Sequence, residues 1–237
     1  MNELVELWLY LSASPLFGLA ATVGVYTLAA HASARLGQAP WANPVLWTVL
    51  VLATLLLASG TPYAAYFAGA QFIHVLLGPA VVALGWLLWQ RRQTLRGHAL
   101  ALLVAALAGG GAAAASALVL GQLAGLPPAV LASLAPKSVT APVAMGIAER
   151  IGGVPALAAV FAVLTGLIGA VTAPYLFKAL RITSPAVRGF ALGTAAHGIG
   201  AARALQEHPD AGGHAGLAFA LQAVLAALLL PLVMRLF

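Results

Sequence analysis

The sequence predicts an all-α, polytopic membrane protein with about seven or eight membrane segments, some of them broken or re-entrant. Of its 237 residues, 62% are hydrophobic and only 7% are charged, whereas a soluble domain carries roughly 25% charged residues. Several apolar runs also approach or reach the ~20 residues that a membrane-spanning helix requires. This composition could not cover a water-exposed surface.

The charge balance agrees with a membrane protein. Eleven basic residues stand against five acidic ones, for a net charge of +6. In a polytopic protein such an excess reflects cytoplasmic loops that are rich in Lys and Arg. No basic run is interleaved with aromatic residues, so we expect no nucleic-acid partner. The chain has no cysteine, which rules out disulfides and thiol chemistry.

The apolar elements can be placed in order along the chain. The N-terminal run contains Glu3 and Glu6 and lacks a basic n-region, so it is interpreted as a first span and not as a cleaved signal peptide. The predicted elements cover about 7–30, 45–59, 63–89 (interrupted at Gly78-Pro79), 99–123, 133–150, 156–177, 189–205 and 215–236. A basic loop with Arg91, Arg92 and Arg96 is predicted between the third and fourth of these.

The segment 133–150 contains two prolines and a lysine within an otherwise apolar region. If it crossed fully, the next span would deliver Lys178, Arg181 and Arg188 to the side opposite the 91–96 cluster, against the positive-inside rule. A broken or re-entrant element removes the conflict, and irregular backbone is tolerated at membrane depth where it lines an enclosed cavity.

A short internal repeat supports a two-part organisation. The stretches "LLGPAVVAL" (76–84) and "SLAPKSVTAPVA" (133–144) both place a small residue and a proline, Pro79 or Pro136, after leucines. Interrupted segments at matching places in two halves indicate a transporter binding site. We therefore expect one domain over 1–237, with possible inverted halves 1–124 and 125–237.

Lys137 is the sharpest chemical signal. A lysine at mid-helix costs roughly 2.5–3.5 kcal/mol on insertion scales, so it needs a partner or water. It could face a hydrated cavity and bind an anion together with the hydroxyls of Ser138 and Thr140. Pro136 and Pro142 would free backbone groups for the same ligand. Alternatively, the lysine snorkels to the interface, where Glu149 or a lipid headgroup could pair with it.

His197 and Arg203 form a second candidate cluster. On one regular helix they would lie about 240° apart, but Gly193, Gly198 and Gly200 suggest that the helix is not regular. His197 could carry a coupled proton, and Arg203 could fix a carboxylate. Alternatively, the glycines pack helices closely, the histidine makes an interhelical hydrogen bond, and the arginine marks a helix end.

Other chemistry has little support. The five acids, Glu3, Glu6, Glu149, Glu207 and Asp210, lie in or beside predicted ends or loops, so no carboxylate occupies a mid-span position for a sodium or proton. No catalytic or P-loop motif is present. We therefore expect neither an enzyme, nor a cofactor, nor a metal site.

Four segments resemble the LrgB/CidB family of bacterial membrane proteins. They are "LLGPAVVAL" (76–84), "SLAPKSVTAPVAMGIAERIGG" (133–153), "RITSPAVRGFALGTAAHGIGAARA" (181–204) and the ending around Pro231, so the resemblance covers nearly the whole chain. Ala141 and Ala201 stand where the family pattern has threonine. Each replacement removes one hydroxyl.

The resemblance implies two different functions. Bacterial members are described as holin/antiholin-like controllers of murein hydrolase export and lysis, acting with a small LrgA/CidA-type membrane partner. The related part of a plastidal translocator carries glycolate and glycerate, and some bacterial relatives are linked with pyruvate. The resemblance would place Lys137, Ser138, Thr140, His197 and Arg203 at a common site, in a multi-pass protein of the bacterial cytoplasmic (inner) membrane.

Of these two functions, we favour transport of a small monocarboxylate by alternating access. A holin needs only oligomerising helices and has no evident use for a proline-flanked lysine at depth, whereas a carrier needs a small convergent polar site. The small-residue surfaces 99–123 and 156–170 could form either a moving interface or a homodimer contact.

Overall fold

The computed structural model describes residues 16–76 and 92–235, together with positions 79, 82, 86, 89 and 90 between them. Within these ranges the chain is helical and contains no β-strand, which confirms the all-α prediction there. The chain divides into two compact units, Met1–Ala80 and Val81–Phe237. The possible halves 1–124 and 125–237, the count of seven or eight segments and the inverted repeat stay predictions.

The described residues of the first unit form three α-helices, α1 (Phe17–Arg35), α2 (Pro44–Ser59) and α3 (Tyr63–Val75), with a 3-10 turn at Pro40–Ala42. The Asn43 side chain caps α2 by accepting hydrogen bonds from the backbone N–H groups of Val45 and Leu46, as is typical of an N-cap asparagine. Helix α1 packs on α2 and α3, and the hydroxyls of Thr22 and Tyr66 lie 2.7 Å apart.

The second unit contains the elements that form the candidate site. Its helices are α4 (Arg92–Leu123), α5 (Pro128–Leu134), α6 (Ala141–Arg150), α7 (Pro155–Ala179), α8 (Pro185–Glu207) and α9 (Pro209–Val233). The basic loop predicted around 90–98 is wrong in part, because α4 already begins at Arg92 and only kinks at His98 (φ −131°, ψ 23°).

Among the described residues, four helices are long and apolar enough to cross a membrane: α1, the 96–123 part of α4, α7 and α9. Large apolar side chains are exposed on their outer faces, among them Leu164 and Ile168 of α7 and Leu228 of α9. Such wide apolar exposure fits a surface that contacts lipid and not water.

The break predicted within 133–150 is confirmed. Helix α5 ends at Leu134 and α6 begins at Ala141, and residues 135–140 between them are not helical. At 1.5 Å per residue, α5 and α6 are only about 10 Å and 15 Å long, so neither could cross a membrane alone. We call residues 135–140 the interhelical break.

Helix α8 is interrupted at His197, whose backbone has φ 43° and ψ −134°. Two contacts show that the chain folds back there. Arg188 and Glu207 form a salt bridge at 4.0 Å, although 19 helical residues would separate their Cα atoms by about 28 Å. A Cβ on Gly200 would also lie 2.5 Å from the Leu192 carbonyl oxygen. Helix α8 is therefore a helical hairpin with arms 185–196 and 198–207; residues 196–198 form the hairpin tip.

Two interrupted elements thus approach each other from opposite ends of the second unit. Helix α5 lies beside the end of α4, since a Cβ on Gly121 would meet Leu131 at 2.6 Å, and beside the start of α7, since one on Gly153 would meet the Ser133 nitrogen at 2.8 Å. The chain therefore enters α5 and leaves α6 at the same end of the unit. The hairpin leaves and returns at the other end, near residues 179–188.

Candidate ligand site

The interhelical break carries three polar side chains that the sequence analysis singled out. It consists of successive tight turns, in which the Lys137 N–H donates to the Leu134 carbonyl at 3.1 Å and the Val139 N–H to the Pro136 carbonyl at 3.2 Å. In such turns, consecutive side chains do not follow the regular spacing of a helix face. They leave the ammonium of Lys137 and the hydroxyls of Ser138 and Thr140 available for a ligand.

Lys137 is half-buried, and its ammonium group makes no hydrogen bond or salt bridge with any other residue of 16–76 or 92–235. Glu149, which a snorkelling lysine could have used, is exposed and does not pair with it within this part of the chain. A half-buried ammonium requires water or an anion to offset its desolvation. Its position is therefore suited to an anionic ligand.

The two hydroxyls are also without partners. The Ser138 and Thr140 side-chain oxygens are shielded from solvent and make no hydrogen bond within the described residues. Thr140 is the N-cap residue of α6, yet its side chain does not cap the helix, and Pro142 lies in the first turn. Proline is well tolerated there. Pro142 therefore begins α6, and it is Pro136 that lies inside the break.

His197 lies at the hairpin tip and is only 4% exposed. Its Nε2 is 2.8 Å from the Ala162 carbonyl oxygen of α7. Because a carbonyl only accepts, Nε2 carries the hydrogen and donates, which leaves Nδ1 as the acceptor of the neutral ring. A Cβ on Gly166 would come within 2.8 Å of the same imidazole. The interhelical hydrogen bond considered from the sequence is present.

The hairpin tip reaches the break at Thr140. A Cβ on Gly198 would lie 3.9 Å from the Thr140 methyl group. The first residues of α6 and of the second hairpin arm therefore lie close together. Each helix start presents unsatisfied N–H groups and the positive end of a helix dipole, which favour an anion. Lys137, three residues before Thr140 in the chain, adds a positive charge to the same break.

Arg203 lies on the second hairpin arm, away from the tip. Its Nε donates to Glu207 at 3.1 Å, and the pair is only 11% and 19% exposed. Glu207 also pairs with Arg188, whose Nε donates to the Ile182 carbonyl at 2.7 Å. The structure thus brings Lys137, Ser138, Thr140 and His197 to one region and places Arg203 in an ion-pair cluster where the two arms close. A role for Arg203 in binding carboxylate stays a prediction.

Three further positions were predicted as helix breaks: Gly198, Gly200 and Pro79. Gly198 and Gly200 lie at the tip or next to it, and Gly200 allows the two arms to approach closely. Pro79 has undescribed residues on both sides, so the break expected there stays a prediction. Within the described residues no group of three His, Cys, Asp or Glu side chains could hold a metal.

Gln222 of α9 is a candidate that the sequence analysis missed. It is 7% exposed, and its Oε1 has no hydrogen-bond partner in the described part of the chain. Its amide lies against Gly110 of α4, where any Cβ would overlap it. A lone amide inside the apolar run of α9 was the available signal, since polar groups within membrane segments are costly and so tend to be functional.

The chain matches the model of the LrgB-like family over residues 22–236. It is 36% identical over 198 residues to the uncharacterized protein YxaC of Bacillus subtilis, covering 84% of this chain and 86% of that one. An uncharacterized protein of Haemophilus influenzae is 32% identical over 195 residues, 82% of this chain and 84% of that one.

A third relative carries a descriptive name. The holin-like protein CidB of Staphylococcus aureus is 28% identical over 198 residues, which cover 84% of this chain and 86% of that one. No solved structure matches the chain. The family match confirms the resemblance drawn from the PKSVT and hairpin segments, and it makes this chain a membrane protein of the LrgB-like family.

Proposed function

We propose that the protein is a carrier of small monocarboxylates, of the glycolate, glycerate or pyruvate kind, that works by alternating access. One observation carries the proposal: two interrupted elements from opposite ends of one unit meet at Thr140 and Gly198, three residues from Lys137, whose ammonium has no partner among the described residues. Discontinuous helices whose ends converge on a polar site are the usual way in which secondary transporters build a binding site.

The charges at this junction favour an anion with one negative group. Lys137 supplies a single flexible positive charge, and lysine binds anions as a point charge without the bidentate geometry of arginine. The hydroxyls of Ser138 and Thr140 and the starts of α6 and the second hairpin arm add neutral donors. A dicarboxylate would require a second cation, and Arg203, the other cation predicted at the site, already pairs with Glu207.

His197 is the proposed proton-coupling residue. Because its Nε2 already donates to Ala162, a proton gained during transport would be bound at Nδ1, which would turn that nitrogen from acceptor to donor. Protonation of the His197 imidazole would then affect the hairpin tip directly, because the same imidazole bonds the tip to α7. Replacing His197 by Gln keeps a donor but removes the titration, so we expect uptake whose dependence on pH is lost.

A second candidate function is a holin- or antiholin-like role in murein hydrolase export and lysis, acting with a small LrgA/CidA-type membrane partner. It is favoured by the name of the staphylococcal relative, holin-like protein CidB. A lesion-forming protein would oligomerise and pass molecules without selecting them. Both candidate functions are compatible with a homodimer and with a location in the bacterial inner membrane.

The deciding experiment is counterflow uptake of labelled glycolate, glycerate, pyruvate and lactate into proteoliposomes, with a trapped dye followed in the same vesicles. We expect saturable exchange with the dye retained, and a loss of exchange of at least tenfold in Lys137→Ala because the anion loses its charge partner. Lys178→Ala, at the end of α7, is the matched control and should exchange like the wild type.

Dye release without saturable exchange, equal in wild type and Lys137→Ala, would reject the carrier and favour the holin-like function. Saturable exchange that survives in Lys137→Ala would keep a carrier but remove the interhelical break from its binding site.

A further inference from the structure

The second unit contains a partly open cavity of about 600 Å³ between α4, α5, the interhelical break and α9. Its wall is built mainly from alanine, glycine, leucine and valine, and none of the described side chains that line it is charged. Ser138 and Gln222 line it too. The neighbours of Lys137 in the break, Pro136 and Ser138, both line the cavity, whereas Lys137 is not among its lining residues. The charge of Lys137 is therefore next in sequence to the cavity wall and not part of that wall.

Both buried polar groups in the wall are unsatisfied. The Ser138 Oγ and the Gln222 Oε1 have no hydrogen-bond partner among the described residues, and each side chain is only 7% exposed. Buried polar atoms in proteins are nearly always paired with protein or with an ordered molecule. Two orphaned groups on the wall of one cavity are therefore the expected mark of a ligand that hydrogen-bonds them.

The small residues of α4 create this space. Gly110 leaves room only for the Gln222 amide, because any Cβ there would overlap that amide. At the next residue, Gly111, which also lines the cavity, a Cβ would meet nothing within 4 Å. The first glycine thus positions the amide, and the second leaves the cavity open.

The cavity is too large for a two- or three-carbon acid alone. Such a molecule has about six non-hydrogen atoms, and even at the ~30 Å³ that a water molecule occupies in the liquid, it would fill roughly 180 Å³. That is less than a third of the volume. Apolar pockets of 300–1,000 Å³ with a few placed polar groups are typical of sites for larger organic molecules.

We propose that this cavity holds the uncharged body of a monocarboxylate larger than glycolate, with its carboxylate at Lys137, and that Gln222 hydrogen-bonds a hydroxyl on that body. The inference rests on the proposed carrier function and narrows its substrate class to hydroxy acids with an apolar chain. Ser138 lies between the charged and uncharged parts and contacts the ligand where the two meet.

The test uses the full-length protein and a series of 2-hydroxy acids with two, four and six carbons. Their competition with labelled glycolate is measured in proteoliposomes, and their effect on thermal unfolding is measured on the purified protein. The transfer free energy of a methylene corresponds to about a fourfold gain in affinity. We expect the six-carbon acid to bind at least tenfold more tightly than glycolate.

Two variants test the two parts of the proposal. Gly111→Leu fills the cavity and should reduce the gain from two to six carbons to less than threefold. Gln222→Leu should abolish the preference for 5-hydroxyhexanoate over hexanoate, because that hydroxyl lies on the body of the ligand and not beside the carboxylate. Gln71→Leu, on α3 in the first unit, is the matched control and should behave as the wild type. Unspecific partition of longer acids into the bilayer would be the same for every variant.

Affinity that does not change with chain length in the wild type would overturn this inference while leaving the carrier intact. Stabilisation that rises with chain length without any saturable uptake would support the cavity and reject the carrier. If Gly111→Leu does not fold, the chain-length series in the wild type and the hydroxyl comparison in Gln222→Leu still decide the question.

Discussion

The second unit interrupts its helices in two different ways. Between α5 and α6 the helix is interrupted for six residues, 135–140, with a proline inside and two hydroxyls that have no partner among the described residues. In α8 it leaves helical geometry at the single residue His197, which is tied to α7 by a hydrogen bond and packed against Gly166. One interruption is long and its polar groups are unsatisfied, whereas the other is short and its polar ring is satisfied.

This difference suggests that the interhelical break binds the ligand and that the hairpin tip positions it. Unsatisfied polar groups in the break are free to exchange a ligand, since no protein contact must be broken first. The hairpin tip, by contrast, holds a non-glycine residue at positive φ, a conformation that persists only where the surroundings enforce it. We infer that the tip provides a rigid surface and that the break supplies the polar groups that bind the ligand against it.

The largest effect on stability is expected where the hairpin packs on α9. In Gly193→Ala the new Cβ would overlap the backbone of Ala215, and overpacking of this kind typically costs about 1–3 kcal/mol or more. Thermal unfolding of the purified protein should show a strong loss of stability. Gly146→Ala, in α6 where a Cβ meets nothing within 4 Å, is the control and should be neutral or slightly stabilising. Equal behaviour of the two variants would contradict the close packing of the hairpin.

The next effect concerns His197. His197→Ala removes the donor to the Ala162 carbonyl and should cost about 1–3 kcal/mol. His197→Gly loses the same bond but accepts φ 43° without a steric penalty. We expect the glycine variant to unfold at a higher temperature than the alanine variant, although glycine is usually the more destabilising residue in a helix. The reverse order would mean that the tip is not strained.

A smaller effect distinguishes two serines of the same region. The Ser133 hydroxyl donates to the Ala129 carbonyl and accepts from the Val154 N–H, both at 2.7 Å, so Ser133→Ala should cost about 1–2 kcal/mol. Ser138→Ala removes an unpartnered hydroxyl and should leave the unfolding temperature unchanged or higher, while weakening ligand binding. A clear loss of stability in Ser138→Ala would show that its hydroxyl has a structural partner.

The smallest effect is expected at the ion pair of Arg203 and Glu207. Removing either side by a Gln substitution should cost about 1 kcal/mol, near the upper end for pairs that water still reaches. Their effects on transport separate the two roles of the arginine. If Arg203 also binds carboxylate, Arg203→Gln raises the KM of uptake and Glu207→Gln does not; equal effects on KM would assign the arginine to the pair alone.

The sequence predicts one of the two interruptions better than the other. Pro136, Lys137 and the basic residues 178–188 were enough to predict the break, because proline chemistry and the positive-inside rule act locally. The reversal at His197 could not be predicted in the same way. Gly198 and Gly200 indicated irregularity, but a histidine at positive φ has no sequence signature, and only the contacts with Ala162 and Gly166 enforce it.

The cavity was missed for a related reason. Gln222 is separated from Ser138 by more than 80 residues of sequence, and their shared position depends on how α4, α5 and α9 pack. The sequence search considered charged residues and histidines, whereas the decisive polar group is a neutral amide. Its partner in the packing, Gly110, is the middle one of three consecutive glycines, and that pattern alone does not show which side chain fills the space.

The two hydrogen bonds of Ser133 have a consequence for motion. The bond to Val154 ties together the two ends of a 21-residue excursion of the chain, from 133 to 154, and so closes it into a non-covalent ring. Closing a loop removes conformational entropy that need not be lost again when a ligand orders the residues inside it. Residues 135–140 are the part of this ring that is not helical, and four of these six residues are buried. The ring therefore already holds the ligand-binding residues in place, and any larger displacement would carry the start of α7 along with the site.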